Sequence, residues 1–146
     1  MDKTDYKLLQ ILHGNSRISI VELSRQVNLS RPSVKERIDK LIEKGIIKNF
    51  TIQTSLNQYN EAITFFSELS QVTLPIEKII STLKQMPQVN EVHIVSGEVN
   101  YLVKATVQNT TEMKELLAKW MSFAKVKSSI ILETPIENQY HFESGD

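Results

Sequence analysis

Two periodicities divide the chain. Up to residue 46 the apolar positions recur three and four apart, the repeat of an amphipathic helix; from Ile47 they begin to alternate, the repeat of a strand. Leu8, Leu9, Ile11 and Leu12 form the first apolar face. It follows a polar start at Asp2–Asp5 and precedes Gly14, so a helix is expected over Lys3–His13. Its acidic first turn suits the helix dipole, and the glycine suits a positive-φ end. Ser19-Ile20-Val21-Glu22 has the spacing of a capping box and opens a second helix that runs to Gln26, with Leu23 and Val27 facing inward beside Ile18. Val27-Asn28-Leu29 is a turn, because Asn tolerates a left-handed backbone. Ser30 caps a third helix and Pro32 sits in its first turn, where a missing N–H costs nothing. Val34, Ile38, Leu41 and Ile42 follow as its buried stripe, and Gly45 ends it.

Ile47–Leu56 alternates and predicts a strand, closed by the polar run Asn57–Asn60. Ala62–Leu74 is rich in β-branched and aromatic residues, a second strand. Pro75 opens a helix with Ile76, Ile79, Ile80 and Leu83 on one face, and Pro87 stops it. Val89–Ser96 and Tyr101–Val107 are strands about Gly97. Asn109–Glu112 caps a helix that buries Met113, Leu116, Leu117 and Trp120, and Val126–Leu132 is the last strand. The order βαββαβ is ferredoxin-like. The expected fold is α+β: a winged-type helix-turn-helix over 1–47, a linker strand and hinge over 48–60, a ferredoxin-like domain over 61–135 and a polar acidic tail over 136–146.

Charge sharpens this division. The chain is neutral overall, with 17 basic and 17 acidic residues. Residues 1–50 nevertheless hold ten Lys/Arg against six Asp/Glu, and the remainder holds seven against eleven. A basic half suits a polyanion; an acidic half is repelled by one. There is no cysteine, which excludes disulfides, thiolate metal sites and a cysteine nucleophile and fits a reducing compartment. The N-terminus does not read as a signal peptide, and no apolar run reaches the length of a membrane span. A cytoplasmic protein is expected.

Two capped helices joined by a short turn form a helix-turn-helix, and the DNA major groove admits one α-helix. Opposite the buried stripe of the third helix lie Ser33, Glu36, Arg37 and Lys40, with Arg31 and Lys35 flanking them near the N-terminus. Ser30 and the unbonded N–H groups of that end suit a phosphate. Arg31 and Arg37 suit guanine or phosphate. The expected DNA contacts are therefore Ser30, Arg31, Ser33, Lys35, Arg37 and Lys40. Glu36 and Lys40 also form a good i,i+4 pair that needs no DNA.

This stretch resembles the N-terminal domain of the Lrp/AsnC (feast/famine) transcription regulators. The resemblance lies in Asp5 through Leu12, Ser16–Ser19, Glu22-Leu23-Ser24, Val27–Ser30, Val34, Glu36-Arg37-Ile38, Leu41 and Gly45-Ile46-Ile47. The family often has proline directly after the serine equivalent to Ser30; here Arg31 stands there and proline comes one later. The second half is similar to the family's effector and assembly domain. The resemblance implies a linker strand paired with its twin, homodimers built through the sheets, further assembly into tetramers or octamers, and an amino-acid effector held between dimers. It places the effector at the turn carrying Gly97, Glu98, Asn100 and Tyr101. The family commonly has aspartate at the position of Asn100, and an amide holds an ammonium group more weakly than a carboxylate.

No P-loop, GxGxxG or GxSxG occurs, and His13, His93 and His141 are scattered. No enzymatic role, cofactor or metal is expected. His93 falls within an alternating strand and reads as structural, and His141 beside Glu143 reads as solvated. The rival class is a metabolite-binding ferredoxin-like module whose helical N-terminus serves assembly alone.

Overall fold

The computed structural model describes residues 1–52, 54, 62–137 and 140. They fall into two compact units, Met1–Gln53 with Ile136–Asp146, and Thr54–Pro135. The described tail residues Ile136, Glu137 and Tyr140 group with the first unit, where the Tyr140 ring meets His13 edge-on with centroids 5.0 Å apart. His141 and Glu143, and the hinge residues 55–60, lie outside the described residues.

The first unit is built from α1 (Lys3–Gly14), α2 (Ile20–Val27) and α3 (Arg31–Glu43). Each starts on a side-chain cap that satisfies a backbone N–H the helix leaves open. Asp2 and Asp5 make a reciprocal capping box at α1. Ser19 accepts from the Glu22 N–H at α2, but the expected return bond is replaced, because the Glu22 carboxylate turns to Arg25 and Gln26 one helical turn on. Ser30 accepts from the Ser33 N–H, with Pro32 in the first turn of α3. Gly14 stays helical, and Asn15 caps α1 with its N–H on the Ile11 carbonyl. Asn28 takes φ 54° between α2 and α3, the left-handed turn its side chain tolerates, and Gly45 takes φ 68° after α3. Leu8, Leu12, Leu23, Val34, Ile38, Leu41 and Ile47 form the core of the unit. Ile42 was expected in this stripe but is 44% exposed, since it lies at the edge of the face set by Val34, Ile38 and Leu41.

Residues 47–52 do not form the expected strand. A strand needs a ladder partner, and none of the described residues pairs with this segment. Its alternation leaves Phe50 and Ile52 51% and 76% exposed.

The second unit has the expected βαββαβ order: β1 (Ile63–Ser70), α4 (Ile76–Lys84), β2 (Val89–Ile94), β3 (Val99–Val107), α5 (Thr110–Met121) and β4 (Lys125–Ile130). The sheet runs β2-β3-β1-β4 and every pair is antiparallel. Strand alternation sends Phe65, Leu69, Tyr101, Val103, Ala105 and Val107 to one face, where Ile79, Leu83, Leu116 and Trp120 from the two helices cover them. Ser67 is the polar exception, fully buried, with its hydroxyl 2.6 Å from that of Ser128 on β4. Paired hydroxyls avoid the cost of an unsatisfied buried group.

Candidate nucleic-acid interface

The N-terminal end of α3 is built by three local choices. Asn28 turns the chain, Ser30 caps the helix, and Pro32 occupies a position where no donor is lost. The Ser30 hydroxyl takes the Ser33 N–H at 3.3 Å and lies 2.8 Å from the Ser33 hydroxyl. Ser30, Arg31 and Lys35 are exposed, and Ser33 is half-buried. No ion pair among the described residues uses Arg31 or Lys35. These four residues come together as expected, at the positive pole of the helix dipole.

The other two candidates are engaged. Lys40 Nζ donates to Glu36 at 2.7 Å, an exposed i,i+4 pair. That bond holds the Glu36 carboxyl below and the Lys40 ammonium above their ordinary values. Arg37 is bound more firmly. Its Nη1 donates to Asp2 at 2.7 Å and to Asp5 at 2.6 Å, both at the start of α1. The Arg37 pKa is raised by these bonds, Asp2 first, then Asp5. The Asp2 carboxyl is lowered, first by the Asp5 N–H it accepts and then by Arg37. A depressed carboxylate contributes its stabilisation above its unfolded pKa and loses it as pH falls through the folded one, so the Asp2 contact persists at neutral pH. A recess of about 350 Å³ lies along this side of α3, lined among others by Asp5, Ser33, Glu36, Arg37 and Lys40. The partnership of Arg37 with Asp2 and Asp5 had no sequence signal: the residues stand 35 and 32 positions apart, and acids in a first turn have a sufficient local reason to be there.

In the second unit, Gly97 takes φ 105° in the turn between β2 and β3, and the Val95 N–H donates to the Asn100 carbonyl. Gly97, Glu98 and Asn100 are exposed, whereas Tyr101 belongs to the core. His93 lies 3.1 Å from Glu91 on the outer face of the sheet, and Lys104 donates to the same carboxylate at 3.2 Å. The Glu91 carboxyl is lowered by His93 first, then by Lys104. Among the described residues no His/Asp/Glu group could hold a metal ion, and no helix is long and apolar enough to cross a membrane.

A capped helix-turn-helix unit joined to an antiparallel βαββαβ unit defines a class: a helix-turn-helix head on a ferredoxin-like body. The family described as "Winged helix-turn-helix DNA-binding" matches residues 1–48, and "Lrp/AsnC ligand binding domain" matches residues 52–140. The chain belongs to the Lrp/AsnC family of transcriptional regulators. It is 31% identical over 137 residues to the HTH-type transcriptional regulator LysM of Saccharolobus solfataricus, covering 92% of this chain and 95% of that one. An uncharacterized HTH-type transcriptional regulator of Pyrococcus horikoshii is 32% identical over 120 residues, 80% of each chain. The structure of Bacillus subtilis LrpC superposes with a TM-score of 0.87 at 24% identity, over 95% of this chain and 99% of that one. A Neisseria meningitidis transcriptional regulator solved as its L-Met complex superposes with a TM-score of 0.84 at 25% identity, over 94% and 93%.

Proposed function

We propose that this protein is a cytoplasmic regulator that binds double-stranded DNA sequence-specifically through α3 and has no catalytic step. The observation that carries this reading is the capped end of α3, where Ser30 and Ser33 stand beside Arg31 and Lys35, cations that no ion pair among the described residues uses. Serine hydroxyls and helix N–H groups hold a phosphate there, while Arg31 and Lys35 reach base edges or the backbone. Lys40 exchanges Glu36 for a phosphate at small cost, because both partners are solvated. The test is binding of the purified protein to pooled genomic fragments, titrated with salt. Specific capture with affinity falling steeply in log salt is expected. No binding at low salt would favour the metabolite-module reading.

The active form in this reading is a homodimer that assembles further, into tetramers or octamers. Phe50 and Ile52 support it, since an unpaired alternating segment with exposed apolar residues suits a strand partner from a second copy. Two α3 helices then meet half-sites about one helical turn apart, or a multiple of it. Higher assembly raises the effective concentration of the later contacts.

The effector in this reading is an amino acid at the turn Gly97–Tyr101, shifting the balance of assemblies. Family membership and the L-Met complex of the Neisseria meningitidis protein support the class of ligand. Exposed Glu98 and Asn100 offer polar groups, and the Tyr101 ring contributes from the core side. Asn100→Asp is expected to tighten amino-acid binding by about 1 kcal/mol, the gain of a charged over a neutral acceptor. Calorimetry with a panel of amino acids reads this directly. Identical heats for both proteins would remove the turn from the effector site.

A further inference from the structure

Arg37 occupies the outward face of α3, yet both hydrogens of its Nη1 are directed back into the protein, to Asp2 and Asp5. We infer that Arg37 is a positioning residue: through Asp2 and Asp5 it sets the attitude of α3 against α1, and it does not itself reach DNA. Three observations carry this. First, the acids have holds of their own besides Arg37. Each is locked by a backbone N–H of the α1 capping box, Asp5 N–H to Asp2 at 2.9 Å and Asp2 N–H to Asp5 at 3.0 Å. The guanidinium therefore binds a preorganised pair of carboxylates, and charge-assisted bonds of this length are the strong ones. Second, α1 and α3 both lie against α2, but their backbones scarcely approach one another. Beyond the shared apolar core, the Arg37 clamp is a polar tie between them, sheltered on its Asp5 side, with 32% of the Arg37 side chain and 16% of Asp5 exposed, and open on its Asp2 side, with 54% exposed. Third, withdrawing Arg37 to contact DNA would leave two uncompensated carboxylates beside a polyanion, an electrostatic loss that opposes the gain. The Lys40–Glu36 pair differs on each count, being a single bond within one helix between largely solvated groups.

This role, which rests on α3 being the DNA-contacting helix, separates cleanly from direct contact. The probe is a duplex selected by the wild-type protein from a random-sequence pool. The variants are Arg37→Gln, Asp2→Asn, which keeps an amide oxygen for the cap, and Asp2→Asn with Asp5→Asn. Affinity is read at a temperature where circular dichroism shows each variant folded, so stability alone does not move the result. A positioning clamp predicts that Arg37→Gln and the double Asn variant each weaken specific binding about tenfold. Their combination is expected to be no worse than either alone, the mark of coupled residues. Discrimination falls across the whole half-site and the salt slope stays at the wild-type value. Should Asp5→Asn prevent folding, Asp2→Asn alone still weakens binding in the same direction.

Direct contact predicts the opposite sign for the acids: removing negative charge and freeing Arg37 leaves affinity equal or tighter. Such tightening overturns the clamp. So does an Arg37→Gln loss confined to one base pair, or one that makes the salt slope shallower by about 0.9, the value of a lost phosphate contact. Wild-type protein that selects no duplex from the pool fails the DNA reading itself and takes the clamp's role with it. Wild-type binding with tighter Asn variants fails the clamp alone.

Discussion

Trp120→Ala is expected to destabilise the C-terminal unit by about 3–5 kcal/mol, the range for truncating a large buried aromatic. The indole is fully buried under the sheet, at 6.1 Å from the Phe65 ring between centroids, and its Nε1 donates to Met86 Sδ at 3.2 Å. Its removal leaves a void where α5 meets β1 and strips the contacts of both neighbours, which the close-packed surroundings recover only in part. Trp120→Phe restores most of the volume and forfeits the N–H to sulfur bond, so a smaller loss is expected. Urea unfolding followed by circular dichroism is the measurement, since this is the chain's one tryptophan. A loss below about 1 kcal/mol would mean that the site collapses around the void.

The second large effect concerns DNA. Arg31→Ala and Lys35→Ala are each expected to cost about 1–3 kcal/mol of binding, and the pair is expected to add. Neither cation has an ion-pair partner among the described residues to release, so truncation removes affinity without rearranging the head. Fluorescence anisotropy on the selected duplex across a salt series resolves the roles. A cation on phosphate lowers affinity uniformly and flattens the salt slope by about 0.9. A cation on a base relaxes the preference at one position. Full affinity in the double variant would remove the N-terminal end of α3 from the interface.

The elements were legible because their signals are local. Serine caps at 19 and 30, Asn28 at a left-handed turn and Gly45 after α3 each answer to a few neighbouring residues. Strand alternation likewise placed β1 to β4, and the cap at Asn109 placed α5. What could not be read depends on partners distant in sequence. Ile47 to Ile52 has the alternation of a strand, but a strand exists only where something pairs with it. Arg37 looked like Arg31, a cation on an outward helical face, and only the three-helix arrangement brings it to Asp2 and Asp5. Glu22 had the right spacing for a box, yet Arg25 and Gln26 offered its carboxylate competing partners within one turn. Tyr101 stands beside the turn in sequence, and its place in the alternation of β3 also carries its ring into the core.

The contact between His13 and Tyr140 bears on where the two units can be separated. The first unit comprises Met1–Gln53 and Ile136–Asp146, so the chain leaves it, builds the whole of the second unit and then comes back. A cut after Gln53 keeps Leu8, Leu23 and Val34 together in their core but parts His13 from the ring it meets. A head produced by itself as the whole first unit therefore needs both stretches, with a linker in place of the second unit.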